Sequence, residues 1–329
     1  MYEAFFGLKT NPFDMTPDPS ALYWTAVHRE ALAGLSYAIA RKKGFVVLTG
    51  PAGTGKTTLI RKLLESSPVP IRSSIVYNPM LTPEEFLELA LADFDMPRIP
   101  MNKAQRLLRL EQFLLVTHRE GKVAVLIVDE AHKLSPQLLE EVRLLTNFET
   151  GKQKLLQILL VGQPELNGVL NREDLWQLKQ RVAVRLQIQP LSTPDVPHYL
   201  RCRWTKAGGA EPLPFQESAM DLITTWSKGI PRIINGICDN ALVLAFSSGR
   251  KAVKAEDILE VVRDLDLQSA RRVEPSRRLP QANPLTITQP VVARVQANNG
   301  HHYEPDLEQG SFLSRMASRF RIRRDGTAK

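Results

Sequence analysis

The stretch Leu48-Thr-Gly-Pro-Ala-Gly-Thr-Gly-Lys-Thr57 constrains the fold of this chain more than any other feature. Gly50 to Thr57 satisfies G-x-x-x-x-G-K-[ST] at every fixed position. Before it runs GFVVLTG, a short apolar β-rich segment; from Lys56 the spacing turns helical. Such a loop needs that setting. Its glycines let backbone N–H groups turn inward around phosphate oxygens, and the helix N-terminus adds partial positive charge. The motif predicts a nucleoside triphosphate cradle made of Gly50, Pro51, Ala52, Gly53, Thr54, Gly55, Lys56, Thr57 and Thr58. Lys56 supplies a point charge to the β- and γ-phosphates, and the Thr57 hydroxyl is a ligand for Mg²⁺.

The rest of the first half alternates helical and strand-like segments. Buried strands are predicted at GFVVLTG, SSIVYNP, VAVLIVDEA, LLQILLVGQP and VRLQIQPL. Between them, TPEEFLELALADF, KAQRLLRLEQFLLVTHREG and SPQLLEEVRLLTNFE have helical period, the first and third with Thr-Pro and Ser-Pro starts. Alternation of this kind implies an α/β fold with a five-stranded, mostly parallel sheet covered on both faces. After about Leu191 the strands stop, and four helical segments follow. The expected organisation is an α/β core over residues 1–191, a small all-helical domain over 192–268 and a tail over 269–329. The tail is rich in Pro, Asn, Gln and Arg without apolar period, a composition that predicts disorder.

VAVLIVDE carries the second half of a phosphate site. Asp129 ends a buried apolar run, where a carboxylate can meet Mg²⁺ beside the phosphates, so Thr57 and Asp129 form the predicted metal pair. Glu130 follows, placed to take a proton from water attacking the γ-phosphate. The pairing favours hydrolysis over passive binding.

Composition excludes some alternatives. No run of 18 apolar residues occurs, so no membrane-spanning helix is expected, and MYEAFFGLKTNPF lacks the pattern of a signal peptide. Cys202 and Cys238 are far apart and lack metal-ligand spacing, which fits two reduced thiols in a cytoplasmic protein. The net charge of +8 is uneven: from Arg271 onward there are 11 Lys and Arg against 5 Asp and Glu, leaving the body near neutral.

The adjacent Asp-Glu, the five-strand core and the trailing helices together resemble an AAA+ ATPase over about residues 1–268. The resemblance implies an ATP site between core and helical lid, shared between subunits of a ring or filament. It implies a sensor at Gln163, in LLVGQP, to orient the lytic water. It places an arginine finger for a neighbouring subunit in LKQRVAVRL, at Arg181 with Arg185 as the alternative, and a second sensor at Arg232 in GIPRIINGICDNAL. The opening YEAFFGLKTNPFDMTPDPSALYW, with VGQPEL and QRVAVRLQIQPLS, is similar to the ExeA (general secretion pathway protein A)-like group. In AAA+ proteins a lead-in segment closes over the adenine, which makes Asn11, Pro12 and Phe13 candidates for that pocket, against an equal reading of Phe5, Phe6 and Phe13 as plain core.

The resemblance implies a cytoplasmic protein, peripheral at the inner membrane, that couples hydrolysis to an envelope export or assembly machine. Family members continue into a transmembrane helix and a peptidoglycan-binding domain; residues 271–329 read instead as a basic tail, with Phe312, Met316 and Phe320 marking a short amphipathic helix over 311–324 that suits an anionic membrane or a partner. The same ATPase module resembles regulators of Tn7- and Mu-like transposition, so a DNA-binding ATPase is the rival expectation, and a nucleotide-dependent partner switch the third. The near-neutral body counts against nucleic acid unless its cations are gathered in one place.

Overall fold

The computed structural model describes residues 1–16, 23–77, 80–96 and 102–268. The expected tail and its helix at 311–324 lie outside the described residues. The chain opens with a short helix α1 (Tyr2–Phe6), and α2 (Ala26–Ala40) starts where the Thr25 side chain accepts the His28 backbone N–H. Then come β1 (Phe45–Thr49), α3 (Lys56–Ser66), β2 (Ile71–Val76), α4 (Pro83–Asp93), α5 (Lys103–Arg119), β3 (Val123–Val128) and α6 (Pro136–Leu145). Caps set the starts of the longer helices: Thr82 and Glu85 form a reciprocal capping box on α4, Asn102 caps α5 and Ser135 caps α6.

A two-stranded hairpin, β4 (Glu149–Thr150) and β5 (Gln153–Lys154), precedes β6 (Leu156–Gly162). Two short helices, α7 (Glu165–Leu170) and α8 (Trp176–Arg181), lead to β7 (Val182–Gln187). The five long strands form one parallel sheet in the order β2-β3-β6-β1-β7. Its three central strands are buried at every position, while the edge strands β2 and β7 are only partly covered. That is the pattern of a sheet packed on both faces. Phe45, Val47, Leu126 and Leu160 point into one core, which also holds Phe86, Leu114 and Leu138 of α4, α5 and α6. Val46, Leu48, Val125 and Val161 point into the other, with Leu35 of α2 and Leu59 of α3.

The four predicted late helices are α9 (Asp195–Lys206), α10 (Glu217–Ser227), α11 (Pro231–Ser247) and α12 (Ala255–Asp264). They share a separate core around Leu200, Ile223, Ile237 and Ile258. Tyr2, Leu8 and Phe13 belong to this helical core rather than to either face of the sheet. Phe13 is fully buried against Phe215, and the Asn11 amide bonds to Asp239 of α11. The N-terminal segment therefore packs on the bundle, and the plain-core reading of Phe13 holds.

The parallel strands give the sheet two unlike ends. At their C-terminal ends lie the phosphate loop and Asp129. At their N-terminal ends cations gather: Arg41-Lys42-Lys43 before β1, Arg72 in β2, and Arg119 with Lys122 before β3. Lys152 and Lys154 of the hairpin join them before β6. Contacts tie these loops together, with Lys42 Nζ at 3.1 Å from His118 Nδ1, and Gln153 at 3.2 Å from the other nitrogen of that ring.

Candidate active site

The phosphate loop takes the conformation its glycines were expected to allow. Gly53 and Gly55 have φ of 77° and 92°, a region that side-chain-bearing residues adopt only with strain. Gly55 is the N-cap of α3, so the first N–H groups of that helix face the loop. Lys56 is buried, and its Nζ donates to the carbonyls of Gly50 and Pro51 at 2.8 and 2.9 Å. Burial lowers its pKa, and the carboxylates of Asp129, Glu130 and Glu165 oppose that shift.

Asp129 is buried at the end of β3. Its Oδ2 accepts from the Thr57 hydroxyl at 3.2 Å, and its Oδ1 accepts from the Glu130 N–H at 2.8 Å. Two hard oxygen donors brought together beside a phosphate cradle fit Mg²⁺, which takes one or two protein ligands and completes its shell with phosphate and water. Among the described residues no cluster of three or more His, Cys, Asp or Glu could hold a metal alone. Glu130 has φ 51°, a left-handed conformation that is costly for a glutamate and that occurs often at functional sites. Its Oε2 lies 3.3 Å from Lys133 Nζ and 3.6 Å from His132 Nε2.

The helical bundle closes the site. The backbone N–H of Arg232 donates to Gly53 O at 3.3 Å, so the first turn of α11 rests on the phosphate loop. A Cβ on Gly53 would come within 2.6 Å of the Arg232 Cβ. A cavity of about 380 Å³ lies between the two parts, the size range of small-ligand sites. Gly53 to Thr58, Asp129, Glu130 and Arg232 line it. So do residues that sequence reasoning missed: His28 of α2, Tyr199 and Arg203 of α9, and Asn235 of α11. Asp14, Met15 and Thr16, rather than Asn11 to Phe13, are the lead-in residues on its wall. Arg203 donates to the carbonyls of Pro12 and Asp14, and Asn235 donates to Asp14 O while accepting the Tyr199 hydroxyl at 2.6 Å. Burial pushes the Tyr199 hydroxyl up to about 12, so it stays a donor. His28 bridges Thr25 and Thr54 O, and burial lowers its pKa.

Three candidates lie elsewhere. Gln163 follows β6 beside His132, its backbone N–H 3.3 Å from His132 Nδ1. Arg181 precedes β7, whose first residue Val182 pairs with Phe45 at the start of β1. It is thus a full strand away from the phosphate loop, roughly 16 Å at the usual strand rise. Its guanidinium bonds to Arg143 O, Thr146 Oγ1 and Asn147 Oδ1 at the end of α6. Arg185 pairs with Val47 midway along edge strand β7 and is exposed.

Residues 39–170 match the family described as AAA domain. General secretion pathway protein A of Aeromonas hydrophila is 43% identical over 260 residues, 78% of this chain and 47% of that protein. The chain thus spans about half the length of this curated relative. Among solved structures, Cdc6p from Pyrobaculum aerophilum is 20% identical with a TM-score of 0.58, covering 75% of this chain and 71% of that one. The Aeropyrum pernix ORC2 protein, in ADPNP-ADP complexes, is 18% identical with a TM-score of 0.60, covering 78% and 72%. These two share the fold. Fold and phosphate site together define an AAA+ protein. Within that class the chain is ExeA-like, placed there by its similarity to general secretion pathway protein A.

Proposed function

We propose that the protein binds MgATP in the cavity between sheet and bundle and hydrolyses it. The observation that carries this is the convergence of Lys56, Thr57, Asp129 and Glu130 under Arg232 on one cavity. Mg²⁺ held by Thr57 and Asp129 would neutralise phosphate charge. Glu130 takes the proton of the attacking water, Lys56 holds the β- and γ-phosphates, and Arg232 contacts the γ-phosphate from the bundle. Gln163 orients the lytic water. The test is steady-state ATPase activity with and without Mg²⁺. Glu130→Gln is expected to lose about 100-fold or more in kcat while ATP still binds. A Glu130→Gln protein that turns over like wild type would sink the assignment.

The pocket is completed by a second subunit. Arg181 stands too far along the sheet to serve its own phosphate loop, which supports a role in a neighbour's site, and Arg185 is the alternative. Arg181→Ala, inactive alone, should regain activity when mixed with Lys56→Ala chains, which keep the arginine; the same loss and rescue in Arg185→Ala instead would move the finger to Arg185. Nucleotide-dependent assembly into a ring or filament follows. The name of the secretion relative supports coupling to an export machine through a protein partner, with the protein on the cytoplasmic side and peripheral to the inner membrane through its basic tail; among the described residues no helix is long and apolar enough to cross a membrane.

One observation favours a second reading. The cations at the N-terminal ends of the strands outnumber the carboxylates paired with them there, Glu120 with Arg72 and Lys122 and Glu149 with Lys154, and form a basic edge that the near-neutral body charge concealed; such an edge suits a nucleic-acid backbone. DNA-stimulated ATPase activity that fades with salt would select it over the export reading.

A further inference from the structure

His132 stands between the two groups that handle the lytic water in the reading above. It lies in the 3-10 turn Ala131–Lys133, directly after Glu130, and its side chain is only 10% exposed. Nδ1 accepts the Gln163 backbone N–H at 3.3 Å. Nε2 is 3.6 Å from Glu130 Oε2 and 3.3 Å from the side-chain nitrogen of Gln163. Acceptance at Nδ1 puts the proton of the neutral ring on Nε2. Two donors cannot face each other at 3.3 Å, so the Gln163 amide is satisfied when turned by a half rotation, with its oxygen toward that proton. The Nε2–H then points to the Gln163 amide oxygen, with Glu130 Oε2 3.6 Å from the same nitrogen, a close approach rather than a direct hydrogen bond.

The turn can approach β6 this closely because β6 ends in glycine. A Cβ on Gly162 would lie 3.2 Å from the His132 backbone nitrogen and 3.4 Å from Nδ1. Glu130 needs an outside hold. Its backbone is in the left-handed region and its side chain is 37% exposed. Its cationic neighbour, Lys133, is 54% exposed on a flexible stem and restrains it weakly. The imidazole is the buried, rigid neighbour.

We propose that His132 is a positioning residue that fixes the Glu130 carboxylate and couples it to Gln163 at the end of β6. The inference rests on the reading of Glu130 as the base. A general base acts only within hydrogen-bond reach of its water, so a carboxylate free to sample rotamers loses rate without losing nucleotide.

The experiment uses the full chain and measures kcat, the Kd for ATP and the thermal midpoint. His132→Ala should lower kcat about tenfold or more while the Kd for ATP stays within about threefold. His132→Gln places an amide donor where Nε2 stood and should restore most of the rate. His132→Asn reproduces only the Nδ1 side and should not. In a Glu130→Gln background, His132→Ala should cost nothing further, since its effect passes through that carboxylate. A wild-type rate for His132→Ala beside an inactive Glu130→Gln overturns the proposal and leaves the base assignment standing. Rescue by Asn but not Gln, or a parallel fall in kcat, ATP affinity and thermal midpoint, overturns it too. A fully active Glu130→Gln is a different failure, that of the base itself.

Discussion

His28 shows how one buried side chain ties the nucleotide site to pH. Its ring bridges the cap of α2 and the carbonyl of Thr54, and burial lowers its pKa, only partly offset by the bond to Thr54 O. A histidine lowered in the folded state binds its proton more readily once unfolded. Its contribution is therefore intact above the ordinary imidazole value of about 6.5 and is lost as pH falls below it. Between about pH 7.5 and 5.5 the wild-type thermal midpoint should fall further than that of His28→Gln; parallel curves would show that His28 carries no such linkage. Lys56 makes a second prediction at this scale. Lys56→Ala leaves the cradle without its central charge and should weaken ATP binding by about tenfold or more, read by equilibrium titration. Lys56, Thr57 and Asp129 were legible in the sequence because their chemistry is local: a loop of fixed spacing and a carboxylate ending an apolar strand. His28, Tyr199, Arg203 and Asn235 were not, since no short-range pattern brings α2, α9 and α11 onto one cavity. Asn235 was the nearest to visible, one helical turn beyond Arg232 on the same face.

Among the elements, the five sheet strands and the four late helices follow from apolar runs and helical period, which act over enough residues to outweigh local accidents. The sequence reading missed α1, α7, α8 and the β4–β5 hairpin, which are all short. None of these three helices has a capping side chain, and two-residue strands have no period to read. Their order comes from packing, as with Leu166, Leu170 and Leu178 of α7 and α8, all fully buried on the sheet. The join between sheet and bundle depends on Gly229, just before α11. Its φ is 72°, the Leu191 N–H donates to its carbonyl at 2.8 Å, and a Cβ there would run into the Leu191 carbonyl oxygen. Gly229→Ala should destabilise by about 2 kcal/mol or more from the backbone conformation and the clash together. Because α11 carries Arg232 onto Gly53, ATP affinity should fall as well. An alanine variant with unchanged thermal midpoint and affinity would mean that the join is not strained by a side chain.

Over the whole molecule, net charge hid the distribution that matters. Of the +8 total, +6 falls from Arg271 onward, so the body appeared a poor binder of polyanions. A parallel sheet changes that judgement because it sends every strand start to one end. The loops before β1, β3 and β6 and the first residues of β2 carry cations for their own reasons, partly to complement the C-termini of α2 and α5. The strand order sets them side by side, about 14 Å across four strands at the usual spacing. This end is opposite the ATP cavity, so its charge can be changed without touching Lys56 or Glu130. The triple variant Lys43→Glu, Arg119→Glu, Lys152→Glu should keep the basal ATPase rate. Under the export reading, double-stranded DNA alters neither wild type nor variant. Under the DNA reading, duplex stimulates wild type only, and with about four phosphate contacts the affinity falls about 100-fold between 50 and 200 mM salt. Stimulation that survives both the triple variant and the higher salt would exclude the basic edge as the binding surface, because neither its charge nor its counterions would then govern the contact.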